Sequence, residues 1–173
     1  MKMLIVLFLT CAMMAKAAVL EADQALPCAP EGEGYTVTTE REAGCQSGWT
    51  RFNERCFLYV DTTMTWADAE RNCQSRGGNL ASVHSFSEQH AIQEMIKRQT
   101  QTYPLAWLGG SDAQQEGTWL WSDGSPFMFN YWDVGQPDNR ARAHCLLMNF
   151  GDEQKFDDQP CSFLKTFVCA RKL

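Results

Sequence analysis

The cysteines constrain this chain more than any other feature of its sequence. There are eight of them, and six fall in the C-terminal three quarters of the chain, at Cys45, Cys56, Cys73, Cys145, Cys161 and Cys169. In an exported chain such cysteines are expected to form disulfides, although six cysteines can pair in fifteen ways and their number alone does not choose among them. Cys28 is then left over. Either its thiol is free or capped, or it joins two chains through a disulfide.

An export signal is predicted over residues 1–18. Lys2 precedes an apolar run, "MLIVLFLTCAMMA", that is too short to span a bilayer, and "AKAA" then offers a cleavage site near Ala17 or Ala18. The segment takes Cys11 with it, so seven of the eight cysteines remain in the mature chain. We therefore expect a secreted, extracellular protein.

The net charge excludes some classes of partner. The formal charge of −6 becomes −8 when Lys2 and Lys16 are removed with the signal. An acidic secreted protein is a poor candidate for binding nucleic acid or anionic membrane surfaces. No later segment is apolar enough to hold the chain in a membrane.

Residues 19–44 are predicted to form a flexible N-terminal extension that carries Cys28. They contain six acids, several prolines and glycines, and no apolar periodicity. From residue 45 onward the pattern tightens. The predicted organisation is therefore a signal peptide at 1–18, an extension at 19–44 and one domain over 45–173.

The domain opens with a predicted hairpin over residues 48–60, where aromatic and polar residues alternate. A helix is predicted over 65–78 with Thr65 as its N-cap, and a second over 85–100 with a capping box. One face of the first helix carries Trp66, Ala69 and Cys73 at helical spacing. The capping box of the second helix consists of Ser85 and Glu88. The buried side of that helix is marked by Ile92 and Ile96. Short strands are expected at 105–110, 118–124, 145–150 and 165–170, separated by long polar loops of the kind that is usually functional.

Several motifs in one order resemble the C-type lectin-like domain family, in its long form with an extra N-terminal hairpin. They are "GW…C" (48–56), "TWADAERNC" (65–73), "GGNLASVHS" (77–85), "WLGG" (107–110), "WSDGS" (121–125), "W…GQPD" (132–138) and the three closing cysteines. The resemblance covers about residues 45–171. It implies an α+β fold in which two helices accompany small antiparallel sheets and a long-loop region. The overall pattern also resembles the fish group that joins secreted lactose-binding lectins to type II antifreeze proteins.

The resemblance also implies a disulfide pairing, Cys45–Cys56, Cys73–Cys169 and Cys145–Cys161. Cys28 lies outside this scheme, which makes it the candidate for an interchain disulfide in a homodimer.

The same resemblance implies a calcium site that also holds the sugar. Its residues would be Gln136, Asp138, Asp157 and Asp158, with Phe156 in place of the usual tryptophan. The Gln-Pro-Asp order is associated in the family with galactose, since exchanging amide and acid reverses the donor and acceptor pattern offered to the sugar hydroxyls. The central proline is usually cis. Taken alone, Pro137-Asp138-Asn139 would be an ordinary turn and Asp157-Asp158 a solvated acidic loop.

The predicted site lacks one ligand. Ala143 stands where the family has an acid two residues before the cysteine, so calcium is expected as a cofactor with an incomplete ligand set. The family's auxiliary calcium site would use Asp112 and Glu116 with acids at 143 and 144, and it is expected to be lost. The histidines, His84, His90 and His144, have no close metal-ligand spacing, so no zinc site is predicted. Trp107, Trp119, Trp121 and Trp132 are expected in the core rather than as ligand platforms.

The expected function is a secreted lectin of galactose or lactose type in mucosal or humoral innate defence, with galactose- or lactose-containing glycans, including microbial surfaces, as partners. One alternative is a type II antifreeze-like ice-binding protein. Such proteins typically carry additional cysteines in the middle of the domain, and the matching stretches "SDAQQ" (111–115) and "NYWDVG" (130–135) have none. Another is a lectin-fold protein that binds protein partners without calcium. No nucleophile motif or supported pair of catalytic acids is present, so an enzyme is not expected.

Overall fold

The computed structural model describes residues 44–173. The predicted signal peptide, almost all of the predicted extension and Cys28 lie outside the described residues. Over that part of the chain the order of elements is β1 (Thr50–Phe52), β2 (Arg55–Met64), α1 (Trp66–Ser75), β3 (Asn79–Leu80), α2 (Phe86–Thr100), β4 (Ala106–Ser111), β5 (Leu120–Trp121), β6 (Cys145–Phe150), β7 (Lys155–Gln159) and β8 (Lys165–Lys172). None of the helices formed by residues 44–173 combines the length and apolar character that crossing a membrane requires.

The strands of the described region form a single sheet in the order β1-β2-β8-β4-β6-β7, with β3 added to β8 and β5 to β4. The C-type lectin-like fold predicted from the sequence is confirmed, with one difference in its sheets. The strands form one connected sheet, because β4 pairs in parallel with β8, with Ala106 opposite Thr166. This pairing joins β1, β2 and β8 to β4, β6 and β7.

Local signals account for both helices. Thr65 caps α1 by accepting the N–H of Asp68 at 3.3 Å, and Ser85 caps α2 by accepting the N–H of Glu88 at 3.2 Å. The reciprocal half of the predicted capping box is absent. Glu88 instead accepts the backbone N–H of His84 at 2.8 Å and the guanidinium of Arg55 at 2.7 Å. The carboxylate that the sequence assigned to its own helix therefore ties α2 to β2.

The core lies between the helices and the sheet. Ala69 and Cys73 are buried on α1, and Ile92 and Ile96 on α2, as their spacing predicts. Trp107 is fully buried in β4. The three disulfides are Cys45–Cys56, Cys73–Cys169 and Cys145–Cys161, the pairing that the family resemblance implies.

Glu70 holds α1 to the start of the long-loop region. Although this residue is buried, its two carboxylate oxygens accept four hydrogen bonds. One oxygen accepts from Gln74 and Asn79 at 2.9 and 2.6 Å, and the other from the N–H of Leu80 and the hydroxyl of Ser122 at 2.8 and 2.9 Å. A buried charge is tolerated when it is hydrogen-bonded in this way.

Strand β7 was not predicted, and it decides where two predicted site residues lie. Its pairing with β6 sets Asp157 opposite Leu147 and Asp158 opposite Leu146. Both aspartates are buried, so the interpretation of this pair as a solvated acidic loop is wrong. Alternation along a strand cannot be recognised in "KFDDQ", because three consecutive residues, Phe156, Asp157 and Asp158, are buried.

Candidate functional site

The structure brings the two predicted halves of the site together. The Gln136–Pro137 peptide bond is cis, as the family resemblance implies. Asp158 accepts the backbone N–H groups of Asp138 and Asn139, at 2.9 and 2.8 Å. Strand β7 and the loop after Val134 are therefore joined through one carboxylate.

Two oxygen atoms at this junction have no hydrogen-bond partner among residues 44–173. They are Oε1 of Gln136 and Oδ1 of Asp157, and both are buried. Buried polar atoms are nearly always satisfied in native proteins, so an orphan pair suggests a missing ligand such as an ion or water. Both atoms are oxygens, which are the donors that calcium prefers. The residues present therefore fit a calcium ion at this place.

Burial is the main cause that raises the pKa of Asp157 to about 6; the charges of Asp158 and Asp138 act in the same direction, and the hydrogen bond from Gln159 opposes them. Asp157 is only 1% exposed, and Gln159 Nε2 donates to its Oδ2 at 2.7 Å. The carboxylate is thus ionised at neutral pH at a cost in free energy. A cation beside it would offset that cost.

Arg140 competes for one of the predicted ligands. Its Nε lies 3.2 Å from Oδ2 of Asp138, and its backbone N–H donates to Oδ1 at 3.0 Å. The Arg140 side chain is 86% exposed, so solvent screens the pair and the arginine can move away. Arg140 thus contacts Asp138, one of the four predicted ligands, through both its side chain and its backbone.

Ala143 supplies no side-chain oxygen at the expected position. The residue is buried, and its backbone N–H donates to the carbonyl of Arg140 at 3.0 Å in a tight turn. Ala141 and Arg142 within that turn have positive φ values of 53° and 60°. A buried alanine in a short turn therefore stands at the position where the family resemblance implies an acid.

His144, the next residue, contacts the two acids of the predicted auxiliary site. Its Nδ1 lies 3.0 Å from Oδ1 of Asp112 and 3.6 Å from Oε2 of Glu116. Sequence reasoning missed this cluster because it looked for acids at 143 and 144 and for histidines close in sequence. The signal was the pairing of "WLGG" with "CLLMNF": in the structure Ser111 lies opposite Cys145, which sets residue 112 beside residue 144.

The other histidines take no part in that cluster. His84 lies 3.0 Å from the hydroxyl of Ser82 and 3.4 Å from that of Ser125, and His90 is exposed on α2. His84 and His90 thus lie outside the group formed by Asp112, Glu116 and His144. What the prediction from histidine spacing did not consider is a histidine combined with carboxylates.

An aromatic cleft adjoins the predicted sugar site. Its lining includes Trp119, Phe127 and Trp132 beside Gln136 and Pro137. The rings of Trp119 and Trp132 have centroids 4.7 Å apart, and both are only partly buried. Trp107 and Trp121 are buried in the core, as expected, whereas Trp119 and Trp132 pack against the core and line the cleft while partly exposed.

Comparison with known proteins agrees with the geometry. Residues 62–171 match the family described as Lectin C-type domain. Ladderlectin of Oncorhynchus mykiss is 41% identical over 169 residues, covering 93% of this chain and 89% of ladderlectin. The galactose-specific lectin nattectin of Thalassophryne nattereri is 40% identical over 143 residues, covering 82% and 89%. The solved structure of herring type II antifreeze protein superposes with a TM-score of 0.71 at 35% identity, covering 75% of this chain and 99% of that one.

Proposed function

The chain belongs to the Lectin C-type domain family, and on that premise we propose that it is a secreted lectin that binds galactose- or lactose-type sugars with the help of calcium. Gln136, Asp138, Asp157 and Asp158 would hold the ion. Calcium, when bound, supplies coordination positions for two hydroxyls of the sugar. The identity to a galactose-specific lectin supports the choice of sugar.

One observation carries the proposal: the unpartnered buried oxygens of Gln136 and Asp157. They belong to two segments of the chain that are joined by the hydrogen bonds from the N–H groups of Asp138 and Asn139 to Asp158. An amide at 136 and an acid at 138 then set the pattern of donors and acceptors around the ion, and reversing them would change which hydroxyl arrangement is preferred.

Retention on immobilised lactose, with calcium and with a chelator, tests the proposal. Wild-type protein is expected to be retained with calcium and released by the chelator. Asp157→Ala should abolish retention, whereas the matched control Asp152→Ala removes an exposed acid outside the site and should leave it unchanged. Folded wild-type protein that passes through the column in both conditions would refute the proposal.

The double exchange Gln136→Glu with Asp138→Asn sharpens the choice of sugar. It keeps the number of oxygens and the net charge while reversing amide and acid. Binding is expected to shift from galactose toward mannose in a glycan competition assay. An unchanged ranking of the two sugars would show that the triplet does not select the sugar.

Ice binding is the second candidate, because herring type II antifreeze protein is among the similar solved structures. Two exposed arginines on the loop, Arg140 and Arg142, argue against it, since a hydrated charge suits an ice plane poorly. Thermal hysteresis of the purified protein decides between the two, and we expect none. A third hypothesis is that the chain binds protein partners without calcium. Folded protein that binds neither lactose nor calcium would favour it.

Secretion, a defence role and a dimer complete the proposal. The signal-like N-terminus and the three disulfides of the described region support export to an oxidising compartment. We propose that Cys28 links two chains, so that two weak sites gain avidity on glycan-rich surfaces such as those of microbes. Non-reducing electrophoresis is expected to show a dimer that Cys28→Ser converts to monomer; a wild-type monomer would refute the linkage.

A further inference from the structure

We propose that Asp112, Glu116 and His144 form a zinc-binding site separate from the calcium and sugar site. One ligand atom of each side chain lies within 4.8 Å of the other two. The cluster shares no residue with the proposed sugar site, so the inference holds whether or not the protein binds galactose.

The spacing of the donors suits a tetrahedral ion. Two ligands at the usual zinc distances of about 2.0–2.1 Å are about 3.3 Å apart across a tetrahedron. The Nδ1 atom of His144 lies 3.0 Å from the Asp112 oxygen and 3.6 Å from the Glu116 oxygen, on either side of that value. Both distances from His144 thus lie within about 0.3 Å of that spacing, and the oxygens of Asp112 and Glu116 lie within 4.8 Å of each other.

The type of donor selects the class of metal. An imidazole nitrogen with two carboxylates suits zinc and its neighbours among the transition metals. Calcium takes six to eight oxygens and magnesium requires an octahedron of them. Three protein donors, one of which is nitrogen, satisfy neither ion. His144 thus makes this a zinc site where acids would have made a calcium site.

Burial gives the site a fixed side and an open side. The Asp112 side chain is 0% exposed, whereas those of His144 and Glu116 are 29% and 54% exposed. The ion can therefore enter from solvent and keep a water as its fourth ligand, as zinc sites with three protein ligands do.

Hydrogen bonds and a disulfide hold Asp112 and the backbone at His144 in place. The other carboxylate oxygen of Asp112, Oδ2, accepts the backbone N–H of Gly117 at 2.8 Å. This bond fixes the carboxylate against the residue that follows Glu116. The N–H of Asp112 donates to the carbonyl of His144 at 3.2 Å, and Cys145 next to it is bonded to Cys161. Such supporting hydrogen bonds orient metal ligands and raise affinity. A bound ion would fasten the turn after β4 to the end of the loop that precedes β6.

Zinc titration against a chromophoric chelator tests the proposal. The mature chain is used in a Cys28→Ser background so that this thiol cannot contribute a ligand. One zinc ion per chain is expected to bind in competition with the chelator, without displacement by millimolar calcium. His144→Asn is expected to lower the affinity by at least about 100-fold, because it removes a ligand rather than a supporting group. His90→Asn, a matched change at an exposed histidine of α2, should leave it unchanged.

A second variant and a second measurement distinguish loss of a zinc ligand from loss of the fold. Glu116→Gln changes an exposed side chain and should weaken zinc binding while the far-UV circular dichroism stays that of wild type. Cobalt bound to the wild-type chain should show the visible absorption of four-coordinate Co²⁺, and His144→Asn should lose it. A zinc affinity that agrees within threefold between wild type and His144→Asn would overturn the proposal and leave the cluster as a histidine–carboxylate hydrogen bond.

Discussion

Replacing Asp157 by asparagine should remove part of the pH dependence of the free energy of unfolding. The wild-type carboxyl is buried in β7 beside Asp158 and Asp138, and burial raises its pKa from the ordinary 3.8 to about 6. In the unfolded chain the same carboxyl ionises near its ordinary pKa. Between these two values the folded protein keeps a proton that the unfolded chain has released. The free energy of unfolding of wild type therefore falls as the pH rises through this window.

The size of the effect follows from the two pKa values. A tenfold difference in acidity corresponds to about 1.4 kcal/mol, so the full penalty is about 2–3 kcal/mol. It is absent below about pH 4, grows up to about pH 6 and is constant above. Asparagine carries no charge at any of these pH values. Any cost of its altered hydrogen bonding with Gln159 is the same at both ends of the range and cancels from the comparison.

Urea unfolding at pH 4 and pH 7.5, with a chelator present and the disulfides intact, measures the effect. The difference in free energy of unfolding between Asp157→Asn and wild type should shift by about 2–3 kcal/mol in favour of the variant between the two pH values. Asp152→Asn, an exposed acid, should show no such shift. Calcium added at pH 7.5 should stabilise wild type, because the ion is paired with the costly charge. If the difference in free energy of unfolding between variant and wild type changes by less than about 0.5 kcal/mol between pH 4 and pH 7.5, the buried carboxyl does not carry the predicted cost.

Three further predictions concern the loop and the core. Arg140→Ala should raise calcium affinity about two- to fivefold in a calorimetric titration, because it removes an exposed ion pair from Asp138; an unchanged affinity would show that the arginine does not compete. Ala141→Gly should raise the free energy of unfolding by about 0.5–1 kcal/mol, since alanine is strained at a φ of 53°, and a lower melting temperature would contradict this. Glu70→Ala should cost about 3–4 kcal/mol in chemical denaturation, because it leaves buried donors such as the N–H of Leu80 without an acceptor.

The fold was predictable because its signals are local or belong to a family pattern. Thr65 and Ser85 begin helices through hydrogen bonds to residues three positions later. The cysteine frame then supplied contacts between distant segments, which local signals cannot provide. The parallel pairing of β4 with β8 is one such long-range contact, and no residue in either strand marks it.

The site was half predictable for the same reason. Gln136 and Asp158 were recognisable from their motifs, and the structure places the triplet against β7. The environment of each side chain was not recognisable. The orphan oxygen of Asp157 depends on burial by residues from several elements. His144 meets Asp112 only because β4 and β6 pair in one register. Sequence reasoning matched residues to expected roles, whereas this cluster uses a residue of another chemical type at a familiar position.

The double hydrogen bond from Asp158 to the N–H groups of Asp138 and Asn139 divides the loop into two parts with different freedom to diverge. The backbone N–H groups of Asp138 and Asn139 are held to β7 by the carboxylate of Asp158, a contact that uses none of the side chains at 140–143. Residues 140–143 carry the charges of Arg140 and Arg142, and Ala143 in place of the expected acid. They take no part in the hydrogen bonds to Asp158. A descendant of this chain could gain or lose the proposed dependence on calcium through substitutions at 140–143 alone, while the segment proposed to select the sugar stays as it is.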